Sequence, residues 1–202
     1  MRDCPPPLRP RSFLDRRGAR IAYLSFSQIG PSAFAATSSH PGTAYTLDYA
    51  AVMAAIRAAD KLADYTIVSF HWGIEKQYTP TSRQVIYGRN AVLSGADMVL
   101  SHHPHVIEGV EYYRGKLIAY SLGNFVFSPG STAGRDSIIL HAVLGPTGVS
   151  QVRLDPVWIG YNGRPVMQTG TAAGRILGTA SWTSRAVGSR AWRVGNRLWV
   201  EP

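Results

Sequence analysis

Two short apolar runs, residues 66–70 and 98–100, each release the chain into a histidine-bearing segment, and a stretch of helical spacing lies between them. Strand, helix, strand in that order implies a right-handed crossover and parallel pairing, so both runs end at the same carboxyl edge of one sheet. Open α/β sheets present their ligands at that edge. His71 follows the first run, and Ser101-His102-His103-Pro104-His105 follows the second. Imidazoles converging there suit a divalent transition metal such as zinc, manganese or iron.

The surrounding sequence extends the same unit. Residues 19–27 read as a strand after Gly18, residues 28–46 as a long loop rich in Gly, Pro, Ser and Ala, and residues 47–62 as an amphipathic helix with Asp48 near its start. Ser82 is a plausible cap for a helix over 83–93, with Gly95 as its stop. The second half changes character. Residues 110–113 and 117–121 read as a hairpin across Arg114-Gly115, and residues 137–144 and 149–158 as another across residues 145–148. Residues 171–187 carry a last helical pattern, and residues 191–200 carry no clear one. The expected division is a basic, proline-rich tail over 1–18, an α/β domain over 19–160, and a basic, partly helical extension over 161–202.

With Cys4 as the only cysteine, neither an internal disulfide nor a cysteine-based zinc cluster is available, so any metal must be held by His, Asp, Asn or Glu. The net charge of +9 sits at the ends: residues 1–20 carry six arginines against two acids, and residues 164–202 carry six against Glu201. The middle is balanced, which argues against a nucleic-acid surface there. The ends are either solvated flanks or contacts for an anionic polymer or membrane headgroups. No signal-peptide pattern and no run of eighteen apolar residues occurs in the sequence.

His103-Pro104-His105 is the sharpest element, since two imidazoles flanking a proline turn can reach neighbouring metal positions. His71, at a strand end beside Trp72-Gly73, is read as a third ligand rather than a core histidine. His102 is either a partner of a ligand or proton donor beside the site, or a solvent-facing neighbour, and its side chain must point away from that of His103 if the segment is extended. Glu75 orients a ligand, accepts a proton or is a surface carboxylate, and Asn124 either offers an amide oxygen or braces a turn. His40 and His141 receive no role.

The succession His-Trp-Gly-x-Glu at 71–75, Pro-Thr-x-x-Gln at 80–84, Gly95-Ala96-Asp97, His-His-Pro-His at 102–105 and Tyr-Ser-Leu-Gly-Asn-Phe at 120–125 resembles the CapA family of poly-γ-glutamate capsule biosynthesis proteins. The resemblance implies an α/β fold: a calcineurin-like metallophosphatase sandwich, with mixed sheets flanked by helices. It assigns His71, His103 and His105 to the metal and implies a divalent ion (Mn, Fe or Zn). Implied partners are the anionic polymer poly-γ-glutamate or other capsule-biosynthesis proteins, in an extracytoplasmic, membrane-associated setting. Two departures stand out. Ser101 occupies a position where the family usually has Gly. The Gly-Asp, Asn-Leu-Glu and Asn-Asn-His steps with which such domains begin do not occur, so the sandwich is expected to be incomplete on its amino-terminal side.

Two function classes follow. In the first, three histidines hold a cation and support phosphatase-type hydrolysis, with His102 as the acid. In the second, the chain is a non-catalytic fragment or binding module that completes its site with another chain.

Overall fold

The computed structural model describes residues 12–37, 39–45 and 48–201. The first sheet starts with β1 (Ser12–Arg16) and β2 (Ala19–Ser27), an antiparallel hairpin turning at Arg17 and Gly18, both at positive φ. After α1 (Tyr49–Asp60), β3 (Tyr65–His71) pairs parallel to β2; after α2 (Ser82–Leu93), β4 (Met98–His102) pairs parallel to β3. The hairpin β5 (Val110–Tyr113) and β6 (Lys116–Ala119) completes the sheet, with β6 parallel to β4 and β5 on the edge.

The helices are where the periodicity placed them, with caps that refine their ends. Asp48 caps α1 by accepting the Ala51 amide at 2.9 Å. The cap of α2 is Thr81, one residue before Ser82: its hydroxyl accepts the Gln84 amide while the Gln84 carboxamide oxygen accepts the Thr81 amide. The Thr-x-x-Gln spacing satisfies two end donors at once, and Ser82 has no such partner three residues on.

The second sheet is antiparallel throughout. It holds β7 (Asp136–Gly145) and β8 (Gly148–Ile159), joined across Pro146-Thr147, then β9 (Pro165–Met167), and, beyond α3 (Gly170–Ala186), β10 (Arg190–Val194) and β11 (Arg197–Glu201). Residues 191–200, unassigned from the sequence, are thus most of a hairpin turning at Gly195-Asn196. Residues 161–201 are tied into this sheet through β9 and β11.

Period-2 alternation in the first sheet feeds two cores. Leu24, Phe26, Val68, Phe70, Val99 and Ile118 face α1 and α2, while Met98, Leu117 and Ala119 face the second sheet and Ile176, Leu177 and Ala180 of α3. The result is a mixed α/β architecture of two sheets flanked by helices. The edge strand β5 is protected by α3 and the turn after it: Ser184 and Ser189 hydroxyls accept the Val110 and Tyr112 amides at 3.1 and 3.0 Å.

One element departs from expectation. Ser12–Arg16, read as part of an extended tail, is an edge strand; all five residues are exposed, and an edge needs only one paired side, which this proline-free segment can supply. The rest of that stretch, residues 1–11, lies outside the described residues.

Candidate metal centre

Parallel register delivers the first two histidines side by side: His71 ends β3 and pairs with His102 at the end of β4. Beyond them the two loops are stitched by the Trp72 amide to the His102 carbonyl at 3.1 Å and the Lys76 amide to the Pro104 carbonyl at 2.8 Å. Trp72 anchors the first loop from below. Its indole is fully buried, stacks on Phe70 at 4.5 Å, and donates to the Tyr120 carbonyl at 3.0 Å.

The turn through Pro104 holds both flanking histidines in unusual backbone, His103 at φ 104° and His105 at φ 60°. Non-glycine residues in this region cost on the order of 1 kcal/mol or more and persist where the surroundings enforce them. The conformation turns both imidazoles to one side. Ligand atoms of Glu75, His103 and His105 lie within 4.8 Å of one another, and His103 Nδ1 lies 3.1 Å from His71 Nε2.

Asn124 orients the His105 ring. Its amide nitrogen donates to the Gly134 carbonyl at 2.9 Å, so its oxygen faces His105 Nδ1 at 2.7 Å, and that nitrogen must carry the proton. His105 Nε2 is left with a free lone pair, as a ligating histidine requires. Phe127 stacks on the same ring at 5.1 Å.

Electrostatics favour neutral rings. Partial desolvation, then the charges of His103, His102 and His105, lowers the pKa of His71, although its side chain is exposed at the rim. Desolvation and then His105 lower His103, with Glu75 opposing. Partial desolvation lowers the pKa of His102 too, against an opposing backbone hydrogen bond with Gly123, although part of its side chain is exposed. Neutral imidazole is the form that binds a cation.

The sequence-derived residues therefore divide. His103 and His105 come together with Glu75, a residue read from the sequence as an outer carboxylate or a surface one; His71 touches the group through His103; Asn124 braces His105; His102 stands on the same edge outside the cluster. Two further buried groups behind the loops, Gln84 and Glu108, were given no role. Gln84 was within reach of the sequence, because its capping-box spacing to Thr81 identifies a carboxamide folded back on the helix start.

A family model described as "Bacterial capsule synthesis protein PGA_cap" matches residues 8–129, which include every candidate site residue. The PGA biosynthesis protein CapA of Bacillus subtilis (strain 168) is 38% identical over 146 residues, 72% of this chain and 38% of that protein. The capsule biosynthesis protein CapA of Bacillus anthracis is 33% identical over 143 residues, 69% of this chain and 35% of that protein. The chain thus spans less than two fifths of the length of these relatives. Among solved structures, the Haemophilus influenzae NAD nucleotidase NadN aligns with a TM-score of 0.42 and 12% identity, over 84% of this chain and 36% of that one. With the family model covering more than half of its residues, the chain belongs to the bacterial capsule synthesis protein PGA_cap family.

Proposed function

We propose that this chain carries a divalent transition-metal site, for Mn, Fe or Zn, that serves metallophosphatase-type hydrolysis in the biosynthesis of poly-γ-glutamate capsule. The observation that supports it is the gathering of Glu75, His103 and His105 ligand atoms within 4.8 Å at the carboxyl edge of parallel strands, with His71 next to His103. The donor set fits such a cation: the imidazoles of His71 and His103, held neutral by desolvation, one carboxylate, and His105 oriented by Asn124. When bound, a divalent ion supplies Lewis acidity toward a phosphoryl or acyl oxygen. The chain's own residues do the rest. His71, Glu75, His103 and His105 would hold the ion, Asn124 positions His105, and His102, neutral at rest on the same edge, would take a proton from the attacking water and pass it to the leaving group.

A second reading is favoured by the openness of the site. His71 and Glu75 are exposed at its rim, and the relatives are far longer than this chain. In that reading the centre is completed by further polypeptide, and the chain acts as an assembly or binding module for the anionic polymer or for other capsule-synthesis proteins.

Metal analysis of purified protein, equilibrium binding of Mn²⁺ and Zn²⁺, and turnover of a generic phosphoester test both. Binding lost in the H103A/H105A double variant, with turnover, supports the enzyme. Binding without turnover supports the module. Protein that takes up no cation and turns nothing over sinks the enzyme and leaves the second reading, in which the centre needs further polypeptide.

A further inference from the structure

Behind the two ligand loops, on the side away from solvent, Gln84 and Glu108 face each other with 0% and 1% of their surface exposed. Gln84 Nε2 donates to Glu108 Oε2 at 2.7 Å. The other end of the same carboxamide accepts two hydrogen bonds from Thr81, from its amide at 2.8 Å and its hydroxyl at 3.0 Å. The Gly73 backbone rests on this group: a Cβ built there would lie 2.7 Å from Gln84 Nε2. Gly73 belongs to the loop carrying His71 and Glu75, and Glu108 follows the loop carrying His103 and His105.

Each end of this arrangement is tied to a rigid element. Thr81 and Gln84 form the capping box that starts α2. The Glu108 amide donates to the Ser121 carbonyl at 3.1 Å, the neighbouring Ile107 bridges to Leu122, and the Ser121 hydroxyl donates to the Val106 carbonyl at 2.7 Å. A general reading as core polarity does not account for the pair. Among the described residues Glu108 Oε1 has no hydrogen-bond partner, and burying an acid with one oxygen unpaired is destabilising in itself. Apolar residues of similar volume would pack the same space without that cost.

We propose that Gln84 and Glu108 form a strut that sets the separation of the two ligand loops, and that both are positioning residues for the metal centre. The inference rests on the reading of that centre as a cation site. Neither side chain touches the cation. Gln84 holds the backbone at Gly73 from beneath, Glu108 holds Gln84, and the distance from Glu75 to His103 and His105 follows from where the two loops are held. Substituting the far side of a ligand set in this way alters affinity and ligand-field geometry together.

Co²⁺ titration of the full chain, followed by its visible absorption bands, is the test. Wild-type protein that binds no Co²⁺ removes the cation site and with it the strut. Given wild-type binding, E108L is expected to weaken Co²⁺ affinity about 10- to 100-fold and to shift the absorption bands, while E108Q, whose carbonyl still accepts from Gln84, stays within about twofold of wild type with unchanged bands. Folding is checked by the near-ultraviolet circular dichroism of the Trp72 stack. Should E108L not fold, Thr81→Val at the half-exposed end of the strut is read in its place: about threefold weaker binding with shifted bands is expected, restored by Thr81→Ser. Folded E108L or T81V that binds Co²⁺ with wild-type affinity and spectrum overturns the strut while leaving the cation site standing.

Discussion

His71 Nε2 lies 3.1 Å from His103 Nδ1, joining the ends of neighbouring parallel strands through two ring nitrogens. At that separation one nitrogen carries a proton toward the other, or both turn their lone pairs to a shared cation. Protons and metal therefore compete for the same place. Because desolvation lowers both pKa values, the rings stay neutral to a lower pH than free imidazole does. Mn²⁺ or Zn²⁺ affinity measured calorimetrically should be nearly flat from pH 8 to 7 and fall steeply only below the ordinary imidazole range, near pH 6.5. Affinity that already falls steeply between pH 8 and 7 would contradict the lowered values.

The backbone at His103 offers a separate test. At φ 104° a side chain is strained and glycine is not. H103G and H103A both lose a ligand, so their cation binding should fall alike, yet H103G should be the more stable of the two by about 1–2 kcal/mol in chemical denaturation. Equal stability would show that the loop relaxes once the imidazole is gone.

Asn124 fixes the His105 tautomer through an oxygen that Gly134 forces to face the ring. Asn124→Asp keeps an acceptor at that position and should hold cation affinity within about tenfold, whereas Asn124→Leu should cost 10- to 100-fold, by the same order as other lost partners of ligating histidines. Isothermal titration of the two variants decides it. Identical affinities would mean that the ring needs no such brace.

Glu108 links pH to stability. Burial pushes its carboxyl up to about 8, against an ordinary 4.5, so between those values the folded chain holds a proton that the unfolded chain has released. Stability contributed by this group is therefore complete below pH 4.5 and lost as pH rises toward and through 8, on the order of a few kcal/mol in all. Urea denaturation at pH 6 and pH 9 should show wild type losing stability and E108Q losing markedly less. Parallel losses in the two proteins would remove Glu108 as the cause.

Much of the fold was legible because its information is local. The apolar run at residues 66–70, helical spacing before residue 93 and the turn at Gly145 to Gly148 all act within a few residues, and each is reproduced in the structure to within a residue or two, the cap of α2 falling on Thr81 rather than Ser82. The pairing of Ser12–Arg16 with β2 and the folding of residues 190–201 onto β8 were not legible, since an exposed edge strand and a short Arg- and Trp-rich hairpin carry no alternation strong enough to stand out from a charged flank.

The site divides the same way. That His71, His103 and His105 belong to one edge follows from strand order alone, because parallel strands joined by a right-handed crossover must end on the same side. The approach of Glu75 to His103 and His105 across 28 and 30 residues, the left-handed backbone at both histidines, and the meeting of Gln84 with Glu108 depend on how β3 and β4 align and on how closely Gly73 settles against α2. Distances of that kind are set by packing between elements, which spacing along a single chain constrains only loosely.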